Sequence, residues 1–160
     1  LMLKRQASAY KKTDKPTKHQ KALPPEVYRQ LLRLSSTPRA KARAILLSSA
    51  VFFCMRSCEY TKTSQKEQKT RTIRVKDITF RLNGRILPHD HPRINEATTV
   101  TILFGLQKCE ILDEPVTQYR SEDPELCPVR GWTKVIQRIR SYPGFKDDWP
   151  VYTYYDGKNF

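Results

Sequence analysis

Apolar and polar positions along the chain fall into five patterned blocks. The first is LPPEVYRQLLRL, where Val27, Leu31 and Leu34 recur at i, i+4 and i+7 behind a proline start. That pattern predicts a short amphipathic helix over 25–35, since proline's missing N–H is not needed in a first turn. The second is SSTPRAKARAILLSSAVFFCMRSCEY, with Thr37 as cap and Pro38 as first residue. Its early turns carry Arg39, Lys41 and Arg43, and from Ala44 it is apolar nearly all round, which predicts a central buried helix. A polar loop over 61–72 follows. TIRVKDITFRLNGRIL then alternates β-branched residues and holds an Asn83-Gly84 pair, a two-residue hairpin signal. After the polar excursion HDHPRINEA, a strand is predicted over 98–104, with 114–119 as its partner and Lys108 near the tip between them. Last, CPVRGWTKVIQRIRSY predicts a helix with Val129, Trp132, Val135, Ile136 and Ile139 inward, while Arg130, Lys134 and Arg138 fall at i, i+4, i+8 on its outer face. No internal repeat is present. The fold class expected is α+β, mainly helical with a small antiparallel sheet.

Charge narrows the partner. Thirty Lys and Arg against 16 Asp and Glu give +14 and a pI near 9.8. Residues 1–22 hold seven basic side chains against Asp14, leaving +6 in a tail read as a basic linker or flexible arm and +8 in the domain over 23–160. Such an excess favours a polyanion, most simply nucleic acid, because basic side chains displace condensed counterions from phosphates. An anionic membrane usually comes with an amphipathic or lipidated anchor, which the sequence lacks, and the longest apolar run is too short to span a bilayer. A basic ribosome-associated protein explains the charge but not a charged pair closing an apolar helix.

Candidate chemistry sits in FFCMRSCEY. Arg56 ends the apolar run, and Glu59 lies three residues on, within reach on one helical face. The ordinary reading is a local ion pair at a helix end. In a basic protein the pair is also a guanidinium fork fixed by a carboxylate, a device for gripping two phosphate oxygens. The lysine at the hairpin tip, Lys108, is solvent dressing unless the tip reaches a phosphodiester, where it can give a proton to a leaving oxygen. The stripe Arg130, Lys134, Arg138 is by default a solvated face, and beside the domain's charge it becomes a set of phosphate contacts, with Arg39, Lys41 and Arg43. Four cysteines form no CxxC pair. Cys54 and Cys58, four apart on a predicted helix, could join His89 or His91 around zinc, but the spacing departs from structural zinc sites, so no metal and no cofactor is expected. Reduced thiols point to an intracellular protein, nuclear if the source is eukaryotic.

The order of these features resembles the tyrosine recombinase (phage integrase) family. FCMRSCEY is similar to its first-arginine box, an apolar helix followed by Gly-Leu-Arg-x-x-Glu, with Met55 where small or aliphatic residues are usual. VKDITF resembles the strand after that box, and the Lys108 hairpin the family's β-hairpin lysine. LPPEVYRQLL resembles the first helix of the catalytic domain, and the basic tail the linker leading into it. MRSCEY with a late CPV-initiated helix is closer to recombinases of eukaryotic mobile elements than to phage enzymes. The resemblance covers about residues 23–142 and implies a partial DNA breaking-rejoining domain. In it Arg56 steadies the phosphorane charge, Glu59 positions Arg56, and Lys108 is the general acid, while a tyrosine attacks duplex DNA. The family's His-x-x-Arg box, second His or Trp and nucleophilic tyrosine are not found. His19, His89 and His91 lack an arginine three residues later, and Tyr152, Tyr154 and Tyr155 come without the box. The expectation is therefore the front half of a catalytic domain, binding DNA and inactive alone, whose full-length form acts as a homo-oligomer on DNA. The alternative is a non-catalytic nucleic-acid-binding module or domesticated mobile-element remnant.

Overall fold

The computed structural model describes residues 23–62, 70–105 and 113–158. Helix α1 spans Pro25–Leu34 and α2 Pro38–Val51, followed by the four-residue α3, Ser57–Tyr60. Strands β1 (Ile78–Leu82), β2 (Arg85–Leu87), β3 (Thr99–Phe104) and β4 (Glu114–Tyr119) precede α4, Pro128–Arg140. Thus the described residues form an α+β fold of four helices and one antiparallel sheet, in the order β2-β1-β3-β4.

The sheet follows from alternation. On β3, Val100, Ile102 and Phe104 are buried, while Thr99, Thr101 and Leu103 are not. Register sets Thr79, Thr101 and Thr117 side by side. On that open face Arg81 Nη1 donates to Thr101 Oγ1 at 2.8 Å, and Thr101 and Thr117 hydroxyls lie 2.8 Å apart. Asn83 and Gly84 turn the β1–β2 hairpin with φ of 49° and 82°, both positive as a type I′ turn requires. The sequence over 72–77, expected to be strand, instead makes a 3₁₀ turn, Val75–Asp77, because Asp77 Oδ2 accepts the Arg74 amide at 2.8 Å.

Helix α4 fills the core with Val129, Trp132, Val135, Ile136 and Ile139, each fully buried. At about 1.5–3 kcal/mol per large apolar side chain, this face is a principal source of stability. Phe53 meets Trp132 edge-on at 6.2 Å. Helices α2 and α4 cross at Gly131, where a Cβ would overlap Ser49 Oγ, so the close approach needs glycine.

Two helical expectations change. Thr37 does cap α2, its Oγ1 accepting the Ala40 amide, but α2 is not buried all round: Leu47 and Val51 are exposed. Nor is the apolar stripe of α1 covered, since Val27 and Leu34 are exposed and no residue of α1 is buried. Besides its packing on α2, α1 is tied to the loop before α4 by side-chain pairs: Arg29 to Asp123 at 2.6 Å, and Arg33 to both oxygens of Glu125.

Candidate nucleic-acid interface

Arg56 is not on the buried helix. α2 stops at Val51, and the chain turns through Phe52–Cys54. Cys54 amide donates to Val51 O at 3.0 Å and Met55 amide to Ala50 O at 3.3 Å, a paired helix-ending pattern. It requires a left-handed residue, and Cys54 takes that place with φ 50°. A side chain there costs roughly 1–2 kcal/mol, which is why glycine is usual.

The turn leaves Arg56 as the residue that caps α3 from outside. Its backbone N–H donates to Glu59 Oε2 at 2.8 Å, and its Nη1 lies 3.6 Å from Glu59 Oε1. The two partners are unequal: the Glu59 side chain is 5% exposed and that of Arg56 is 52% exposed. Glu59 is in turn locked by the next segment, as its carbonyl accepts the Ile73 amide at 2.8 Å and Cys58 O accepts Thr72 Oγ1. A buried carboxylate therefore holds a guanidinium whose face toward solvent remains available.

One segment along, the same device recurs. Arg71 Nη2 donates to Asp77 Oδ1 at 2.7 Å, with Asp77 buried and Arg71 partly exposed. The Arg71 stem lies on Gly105, where a Cβ would come within 2.9 Å of its Cδ, so this cation stands where β3 leaves the sheet. Sequence reasoning missed Arg71; the only signal was an aspartate six residues on. Lys108 lies outside the described residues, although β3 and β4 do pair with Phe104 opposite Glu114, flanking it.

Of the basic candidates, Arg39, Lys41, Arg43 and Lys134 are exposed. They divide between two concavities. Lys41, Arg130 and Lys134 border a hollow of about 150 Å³ between α2 and α4, which also contains Glu125. Arg39, Arg43 and Arg138 border a groove of about 990 Å³ on the other side of α2. Arg138 does not belong to a solvated outer stripe. Residues 150–154 return over it, and its Nη2 reaches the carbonyls of Val151 and Thr153 at 3.5 and 3.4 Å. Burial lowers its pKa below the usual arginine value. Arg130, half-buried, donates to Asp123 O at 3.4 Å.

Cys54 and Cys58 do not share a helix face, because one lies in the turn and the other in α3. His89 Nε2 lies 2.7 Å from the Ile78 carbonyl and donates to it, so that nitrogen is engaged. Among the described residues no cluster of three or more His, Cys, Asp or Glu suits a metal ion, and no helix is long and apolar enough to cross a membrane. The phenols of Tyr60 and Tyr142 are pushed above their ordinary pKa by burial, the wrong direction for an activated nucleophile. The segment after Trp149 makes no strand among the described residues; Val151 is buried and Tyr152, Tyr154 and Tyr155 are half-buried.

Comparison with known proteins found no matching family model, curated protein or solved structure. The reading of the site rests on its geometry. That geometry offers a half-exposed guanidinium on a buried carboxylate anchor, a second such pair beside it in the fold, and cations in two concavities.

Proposed function

We propose that this chain is the DNA-binding front part of a tyrosine-recombinase catalytic domain, gripping a phosphate of duplex DNA through Arg56. The observation that carries it is the unequal pair: Glu59 is buried and aims Arg56, whose own fork is left for a ligand. The break in the helix adds support. In the pattern Gly-Leu-Arg-x-x-Glu the glycine falls two residues before the arginine, and here that position, Cys54, holds the left-handed conformation glycine favours. The first and last positions of Arg-x-x-Glu are also the two that make the Arg56 amide to Glu59 hydrogen bond.

In this reading Arg56 stabilises charge on a phosphodiester, Glu59 positions it, and Lys108 is the proton donor to a leaving oxygen. The chain alone binds and does not cut, since no His-x-x-Arg box accompanies its tyrosines.

Two measurements test this. Duplex affinity measured from 50 to 200 mM salt should fall steeply, and Arg56→Ala should flatten the log–log slope by about 0.9, the value for one lost phosphate contact. A flat salt dependence, or an unchanged slope in Arg56→Ala, removes the proposal. The non-catalytic binding module is separated by the reading frame past Phe160. A His-x-x-Arg followed by a tyrosine favours the recombinase, and a stop codon favours the module.

A further inference from the structure

The groove on the far side of α2 has a composition unlike the rest of the surface. It is walled by α1, α2, the end of α3, α4 and residues 150–154, and encloses about 990 Å³. Four cations line it, Arg39, Arg43, Lys62 and Arg138, and no carboxylate does among the described residues. Elsewhere several arginines are answered by acids: Arg29 by Asp123, Arg33 by Glu125, Arg71 by Asp77, Arg93 by Glu96. In the groove Arg39 is answered by a tyrosine ring and Arg138 by backbone carbonyls. Arg39 lies over the ring of Tyr154 at 5.8 Å, and Tyr152 lines the same wall. Arg138 Nε is buried without a hydrogen-bond partner, and its Nη2 bonds to backbone carbonyls are long. Gathering like charges around a concavity raises the energy of the empty site, and an anion entering it recovers that cost.

Shape restricts the anion. A volume of about 990 Å³ is that of a cube roughly 10 Å on a side, smaller than a B-form duplex whose major groove alone is about 12 Å wide, so a duplex can touch only the rim. A single strand has its phosphates on a flexible backbone and its bases free to lie on aromatic rings, which is how cationic grooves with interleaved aromatics bind it. We propose that this groove seats a single-stranded nucleic-acid segment, its phosphates on Arg39, Arg43 and Lys62, with Arg138 adding positive charge from beneath residues 150–154, and its bases against Tyr152 and Tyr154. This site is separate from Arg56, so neither reading needs the other.

The test uses the 160-residue chain with a fluorescein-labelled oligo-dT 15-mer, followed by anisotropy across salt. Arg43→Ala/Lys62→Ala removes two exposed cations from the groove, and Lys41→Ala/Lys134→Ala removes two from outside it. The groove pair should weaken oligo-dT at least tenfold at 100 mM salt and flatten the slope by about 1.4, two contacts at roughly 0.7 each for a single strand. The outside pair, with the same net charge, should change affinity less than threefold. Circular dichroism melts confirm that both variants fold. A 4-thiothymidine oligomer should crosslink within residues 150–154. Equal weakening by the two pairs means only net charge matters and overturns the proposal. So does binding of inorganic tripolyphosphate without binding of the oligomer, and so does a crosslink lying solely in the tail. Arg56→Ala should leave oligo-dT affinity unchanged; its failure on duplex would bear on the proposed function and not on the groove.

Discussion

Removing Glu59 should damage the fold far more than removing Arg56, although the two form one ion pair. Glu59 Oε2 accepts the Arg56 amide at 2.8 Å from a buried position. A hydrogen bond to a charged group contributes roughly 1.5–3 kcal/mol, and Glu59→Ala loses it while leaving a donor at the start of α3 without its acceptor. The expected loss is about 2–3 kcal/mol. Arg56→Ala keeps that backbone bond. It loses a contact of 3.6 Å made by a half-exposed guanidinium, worth about 0–1 kcal/mol after solvent screening. With a urea m-value of about 2 kcal/mol/M, Glu59→Ala should lower the midpoint by about 1–1.5 M and Arg56→Ala by no more than about 0.5 M. Duplex binding should invert the ranking per unit of stability lost, because both variants lose the fixed fork. Equal midpoint losses would mean that Arg56 is a structural cation, and an unshifted Glu59→Ala midpoint would mean that the carboxylate holds nothing.

Further outcomes follow from other parts of the fold. Burial lowers the pKa of His89 below its ordinary 6.5. The unfolded chain therefore takes up a proton first as pH falls, so stability should decline below about pH 6.5 and level off once the folded His89 titrates; His89→Gln should remove that step in urea midpoints from pH 7.5 to 5. Gly131→Ala gains about 1 kcal/mol of helix propensity but drives a Cβ into Ser49 Oγ, so it should cost about 1 kcal/mol net, with a smaller cost in a Ser49→Gly background. Asp77→Asn weakens acceptance of both the Arg74 amide and the Arg71 fork and should cost about 1–2 kcal/mol by urea denaturation; no change would deny Asp77 its anchoring role.

Much of the sheet and α4 was legible because alternation and helical periodicity report burial directly. Thr99–Phe104, the Asn83-Gly84 turn and the inward face of Trp132 lie where those patterns place them. The end of α2 was not legible, since Phe53 and Met55 remain packed on the core past the helix end and hide it from any count of apolar residues. The only residue marking the break is a cysteine in a conformation that glycine normally advertises. The apolar stripe of α1 misled for a different reason: periodicity shows which residues share a face, not whether a partner covers it. Arg138 failed similarly. Its outward helical phase was correct, but the returning segment 150–154 lies more than ten residues away in sequence and covers it. The unequal burial of Arg56 and Glu59 likewise depends on the Ile73 amide, a long-range contact no spacing encodes.

The turn at Cys54 also acts as a clutch between two helices. Each residue inserted into or deleted from an α-helix rotates everything beyond it by about 100°. An arginine carried on α2 itself would swing with every such change. Because the chain is broken at Cys54 and restarted at Arg56, the direction of the guanidinium is set by Glu59 and the Thr72–Ile73 segment bonded to α3 rather than by helical phase. Helix α2 can thereby vary its exposed positions, such as Leu47 and Val51, without misaiming the cation beyond it.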